Sequence, residues 1–187
     1  MLKIIMTLIT LWFLNSCGGS SSYYVLSPAP QPKSIYSYKN RIIAVEKVTV
    51  PEYLYKRDIA VAKTATQISL LNGAVWGEDL DTGLTNRLIS FMQKKFQQPS
   101  VYAYPWGLDR QPNIKLNVDV TRFIAQGSSV YLDANWEVVD MATKRRKTGL
   151  FHTQVLTAND ADSIVTAMDK AFGELEEVVS KGLKTYY

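Results

Sequence analysis

This chain of 187 residues has almost no thiol or imidazole: one cysteine, Cys17, and one histidine, His152. A single cysteine forms no intramolecular disulfide and no cysteine-built metal site, so the folded part is held by packing alone. One histidine leaves a zinc centre short of ligands, and no serine stands in the strand-to-helix elbow of a hydrolase nucleophile. The ten glycines do not cluster ahead of a helical segment, which removes the phosphate-cradling loops. Charge of one sign is scarce too. With 21 basic and 17 acidic side chains the formal net charge is +4, and the longest basic run is Lys144-Arg145-Arg146-Lys147. So mild an excess does not suit a nucleic-acid partner. No residue pattern asks for a cofactor.

What is there begins with one apolar run. Lys3 precedes residues 4–14, which are apolar except for two threonines. That length fits the ~7–15 residues of a signal-peptide core and falls short of the ~20 residues of a spanning helix. The run closes in Leu14-Asn15-Ser16-Cys17, which resembles the lipobox of bacterial lipoproteins. The resemblance implies cleavage before Cys17, a diacylglycerol on its sulfur and an acyl chain such as palmitate on its new amino group. Each buried methylene contributes ~0.8 kcal/mol, so several chains on one residue anchor the protein firmly. The expected divisions are residues 1–16 as cleaved signal, 17–22 as lipidated cysteine with a short tether, and 23–187 as one domain. A tether of Gly18, Gly19 and Ser20 to Ser22 reaches about 17 Å at full extension, which keeps the body near the bilayer.

Periodicity divides the body. Tyr23-Tyr24-Val25-Leu26 reads as a strand, and the prolines of residues 27–32 then forbid regular structure and make an ordered connector over the surface. Residues 41–50 form a strand ended by Pro51, residues 59–63 and 66–71 two short strands, and Asn72-Gly73 a turn. From 78 to 96 the period changes: Leu80, Leu84, Leu88, Met92 and Phe96 line one face of a helix, acidic at its start and basic at its end. Residues 100–104 return to strand. Two alternating runs, 114–121 and 130–138, then a loop over 140–147 and a strand over 148–156, make an antiparallel meander with one dry and one wet face. Asn159 or Asp160 caps a last helix that turns Ile164, Met168, Phe172, Leu175 and Val179 inward and leaves Glu174, Glu176, Glu177 and Lys181 to water. The expected fold is therefore α+β: a single domain with a mixed or antiparallel sheet and two amphipathic helices packed on one face.

Chemistry is thinly supplied. His152 is expected in a strand as a partly buried structural residue, and Asp119, Asp133, Glu137 and Asp140 as polar residues on the wet face rather than a paired acid and base. The run from Lys144 to Lys147 reads as a solvated loop tip, or as a contact for anionic lipid or an acidic partner. Aromatic residues are in surplus instead. Tyr53 and Tyr55 follow Pro51 around Leu54, and Tyr102, Tyr104 and Trp106 alternate about Pro105, so the latter three can present one side of an extended segment. Such residues either cover the sheet ends as core edge or form the centre of an interface.

Cys17, Tyr23-Tyr24-Val25-Leu26, Val48-Thr49-Val50-Pro51-Glu52-Tyr53-Leu54, Trp76-Gly77-Glu78-Asp79-Leu80 and the strands over 118–123 and 132–140 together resemble the PqiC-like auxiliary lipoproteins of ABC-type transport systems. The resemblance implies a non-catalytic outer-membrane lipoprotein facing the periplasm. Its partner would be a PqiB-like MCE-domain tunnel protein of the inner membrane that carries lipid between membranes and supports envelope integrity. It also implies a homo-oligomer, as a ring of subunits. Gly18 agrees with outer-membrane sorting, since inner-membrane retention places aspartate there. The expected partner or subunit contacts are Pro51, Tyr53, Leu54, Tyr55, Tyr102, Tyr104 and Trp106. The competing expectation, a lipoprotein that binds cell-wall polymer or activates a periplasmic synthase, would call for a longer tether.

Overall fold

A computed structural model describes residues 21–37, 39–106 and 111–187. The signal segment, Cys17 and the tether up to residue 20 lie outside the described residues. In chain order the elements are β1 (Ser22–Tyr24), β2 (Ile43–Glu46), a 3₁₀ turn (Glu52–Tyr55), β3 (Asp58–Ala62), β4 (Ile68–Trp76), α1 (Leu80–Lys95), β5 (Val101–Tyr104), β6 (Ile114–Gln126), β7 (Ser129–Asp140), β8 (Arg146–Leu156) and α2 (Ala161–Lys184).

β6 is the spine. One edge of it pairs antiparallel with β7, and β7 with β8, which gives the expected meander. Its other edge is shared by two short strands, both parallel to it: β2 along residues 114–116 and β3 along 125–126, with a bridge from Thr49 to Asp119 between them. β2 then carries β5 in parallel, while β3 carries β4 antiparallel and β4 carries β1 in parallel. The sheet is thus mixed and open, with α1 and α2 on one face of it.

Residues 41–50 are not one continuous strand. Pairing stops at Glu46 and resumes only as the Thr49 bridge, because the chain must leave β6 to reach the 3₁₀ turn. Asn72-Gly73 is not a turn either. Gly73, at φ 71°, lies inside β4, where the register against β3 jumps between Asp58 and Ala60. The left-handed glycine makes a bulge, not a reversal: β4 pairs with β3 again at Val75, opposite Asp58, while its other edge takes up β1. At the other meander turn Lys144 takes φ 60°, and Arg146 and Lys147 already belong to β8.

The helical stripes face the core as their period requires. Leu84, Leu88, Phe91 and Met92 of α1 and Phe172, Leu175 and Val179 of α2 are fully buried against Ile43, Val45, Ile114 and Leu116. Burial of one such side chain contributes ~1.5–3 kcal/mol. Asp160 caps α2 by accepting the Ser163 N–H at 2.8 Å. Across the helices runs the proline-rich segment, ordered as expected. Ser27 donates its N–H to Asp169 at 2.9 Å, Lys33 its N–H to Glu177 at 2.8 Å, and Tyr36 its N–H to the Lys95 carbonyl at 2.7 Å.

That strap reverses one expectation. Glu176 does not face water: its side chain is fully buried and accepts from Arg87 Nε at 3.3 Å, while Glu177, mostly buried, holds Lys95 at 2.7 Å. The strap and the seam between α1 and α2 cover a helix face that alternation alone assigns to solvent.

Candidate functional site

The two aromatic segments differ in what they offer. Behind Pro51, whose carbonyl accepts the Leu54 N–H at 2.9 Å, the 3₁₀ turn drives Leu54 into the core at 3% exposure. Tyr53 is half-buried, and its hydroxyl accepts the Phe123 N–H at 3.2 Å. Burial pushes the Tyr53 phenol up, partly offset by that amide and by Arg122. Leu54 is therefore not available on the surface, whereas Tyr53 fastens the turn to β6 through its hydroxyl and keeps part of its ring on the surface. Tyr55 is 51% exposed, beside Lys47 and Asp79.

On β5, an edge strand, Tyr102 and Tyr104 are exposed in register with Ala44 and Glu46 of β2. Both rings meet Trp106 edge-on, with centroids 5.9 Å and 5.4 Å away. The alternation thus produces one cluster, on the sheet face opposite the helices. Lys115 Nζ lies 5.2 Å from the Tyr104 centroid and 2.5 Å from the Glu46 carboxylate. Burial pushes the Glu46 carboxyl up, but hydrogen bonds from Lys115 and from Asn117, at 2.6 Å, outweigh it and leave the group below its ordinary range.

The carboxylates of the meander are each occupied. Thr49 and Asn135 donate to Asp119, Arg146 donates to Glu137 at 3.2 Å, and the amides of Ala142 and Thr143 donate to Asp140 at 3.0 and 2.8 Å. The Thr143 amide is the main cause of the lowered Asp140 carboxyl. His152 is not partly buried. Its side chain is 65% exposed with Nδ1 on the Asp133 carboxylate, because β8 is the sheet edge and its outward residues, Leu150 and Leu156 among them, meet solvent. Among the described residues no group of histidine, cysteine and carboxylate side chains is placed to hold a metal.

The model of the ABC-type transport auxiliary lipoprotein component matches residues 24–179. The chain belongs to that family. It is 31% identical over 127 residues to the Intermembrane transport lipoprotein PqiC of Escherichia coli K12, and equally to that of Shigella flexneri. The match spans 66% of this chain and 66% of each relative. Two crystal structures share the fold. A Xanthomonas campestris protein superposes at TM-score 0.74 with 15% identity over 88% of this chain and 96% of its own. An uncharacterized protein does so at 0.73 with 23% identity over 88% and 99%.

In this auxiliary lipoprotein the strongest polar constellation is one that alternation does not reveal. Arg87, 4% exposed at its side chain, lies between Glu176 and Asp169, and Asp169 also accepts from Ser27 of the strap. The auxiliary lipoprotein thereby ties the strap to both helices. An arginine set in an apolar helical stripe is the signal that points to such a buried partner. Among the described residues no helix is long and apolar enough to cross a membrane.

Proposed function

We propose that this auxiliary lipoprotein is held in the outer membrane by acyl chains on Cys17 and forms the outer-membrane end of an intermembrane lipid transport system. On this reading it faces the periplasm, docks the tunnel of an MCE-domain protein anchored in the inner membrane, and so supports envelope integrity. It acts by position and contact, without catalysis. The observation that carries the reading is the family match beginning at residue 24, directly behind a short tether, together with the likeness to proteins named for intermembrane transport. Several copies, each with its own acyl chains, would form a collar whose combined hold grows through effective concentration. Pro51, Tyr53 and Tyr55 on one side and Tyr102, Tyr104 and Trp106 on the other supply subunit or tunnel contacts, while Leu54 supports them from within.

Co-purification of the full-length protein from cells tests this. Wild type is expected in the outer-membrane fraction, bringing down the tunnel protein. Cys17→Ala should move to the soluble periplasmic fraction, and Tyr104→Ala with Trp106→Ala should weaken co-purification while leaving the protein folded. Recovery of Cys17→Ala in the outer membrane, or wild type without the tunnel protein, would overturn the reading.

A further inference from the structure

The strap follows α2 along its whole length and so fixes which end of the molecule lies near the tether. Tyr24 lies beside the Asp162 carboxylate in the first turn of α2, which pushes its phenol up. Ser27 then meets Asp169, Lys33 meets Glu177, and the Lys39 N–H donates to the Tyr187 hydroxyl at 2.8 Å, beyond the last turn. At 1.5 Å per residue, the 24 residues of α2 put about 36 Å between these two ends.

The ends carry opposite charge. Near the tether stand Asp160 and Asp162, and Glu78 and Asp79 beside Tyr24, with Lys56 and Arg57 among them. At the far end stand Lys39, Lys144, Arg145, Lys147, Lys181 and Lys184, all exposed. Contacts show that they share one surface. Lys147 Nζ donates to Thr185 at 2.9 Å, the Arg145 guanidinium sits 5.8 Å from the Tyr186 ring centroid, and Lys39 Nζ sits 6.0 Å from that of Tyr187. The acids nearby are already engaged, Asp140 by Arg41 at 3.6 Å and Glu137 by Arg146. Dipole complementation accounts for Lys181 and Lys184 at the end of α2 but not for Lys39 or for the cations of the β7–β8 turn.

We infer that this far basic end is a docking surface for an acidic segment of a partner protein, which on the reading above is the periplasmic part of the tunnel protein. Anionic lipid would attract the same cations. Yet a tether reaching about 17 Å holds the acidic end, not this one, to the anchor's bilayer. The far end points into the periplasm, where a carboxylate-rich protein surface complements it and steers association.

Photo-crosslinking in cells tests the surface, with benzoylphenylalanine placed at Lys144 or Lys181 of the full-length lipidated chain and at Asp162 for comparison. Lys144 and Lys181 should form adducts that map to an Asp/Glu-rich segment of the tunnel protein. Arg145→Glu with Lys147→Glu should cut their yield about tenfold, as expected for lost electrostatic steering, whereas Arg145→Lys with Lys147→Arg should preserve it. Circular dichroism melting should show that the charge-reversed chain remains folded. Adducts to an acidic segment of some other identified protein would support the surface and overturn the function proposed above. Tunnel-protein adducts that form from Asp162 alone, or that survive charge reversal, would overturn the surface and leave that function standing. Adducts to lipid alone, or none from the far end, would also overturn it.

Discussion

Arg87 and its carboxylates set how the fold answers to pH. Burial pushes the Glu176 carboxyl from its ordinary 4.5 up to about 8 against the pull of Arg87, and Asp169 adds to the rise. Near neutrality Glu176 is thus mostly a neutral acceptor, and Asp169 is the counter-ion of Arg87. Between those two values the folded chain binds more protons than the unfolded one, so this group's contribution is complete below about 4.5 and is lost as pH climbs toward 8. The loss is up to about 1.4 kcal/mol per pH unit. The depressed Glu46, Glu177 and Asp140 act with the opposite sign and at lower pH. Urea midpoints of wild type are therefore expected to fall from about pH 5 to about pH 8. Glu176→Gln, which keeps the acceptor and cannot ionise, should flatten that fall, and an equally steep fall in the variant would contradict the assignment.

At the scale of elements, α2 packs on the meander through Trp136, whose indole lies between two glycines. A Cβ on Gly149 of β8 would stand 2.4 Å from Trp136 Cζ2, and one on Gly182 of α2 would stand 2.4 Å from Cζ3. Neither approach is possible without displacing the helix or the ring. Gly182→Ala should therefore cost about 1–3 kcal/mol, read by chemical denaturation. In the double variant with Trp136→Leu it should cost clearly less, since the clash disappears with the ring. Additive losses would mean that the glycine serves something else. The helices and the meander are legible in the sequence because Leu84, Leu88, Phe172 and Leu175, like Val118 and Val130, keep the period of their element. The Gly73 bulge, the burial of Glu176 and the exposure of His152 are not legible. Each depends on a neighbour distant in sequence: β1 and β3 pairing with opposite edges of β4 around the bulge, the strap closing over α2, and the absence of a strand beyond β8 among the described residues. Of the aromatic segments, the cluster of Tyr102, Tyr104 and Trp106 is legible in its alternation, and that of residues 53–55 only as a surplus. Burial of Leu54 and the Tyr53 bond to β6 follow from where the 3₁₀ turn lands.

For the whole molecule the decisive quantity is orientation. Acidic groups gather around Tyr24 and the first turn of α2, and basic groups gather about 36 Å away along α2. On the reading proposed above, a body held at the first end by a tether of about 17 Å would stand off the bilayer with its second end outward. Cys17 is the chain's one cysteine, so once it is acylated a single introduced cysteine can be labelled uniquely. Ala158→Cys marks the exposed approach to α2, and Lys181→Cys its exposed last turn. With the lipidated protein in vesicles of phosphatidylethanolamine and phosphatidylglycerol carrying an acceptor-labelled lipid, energy transfer should be clearly stronger from position 158 than from 181. Adding salt should leave that order unchanged, because the tether rather than charge sets it. Stronger transfer from 181, weakening as salt is added, would show the basic end lying on lipid and would turn the molecule over.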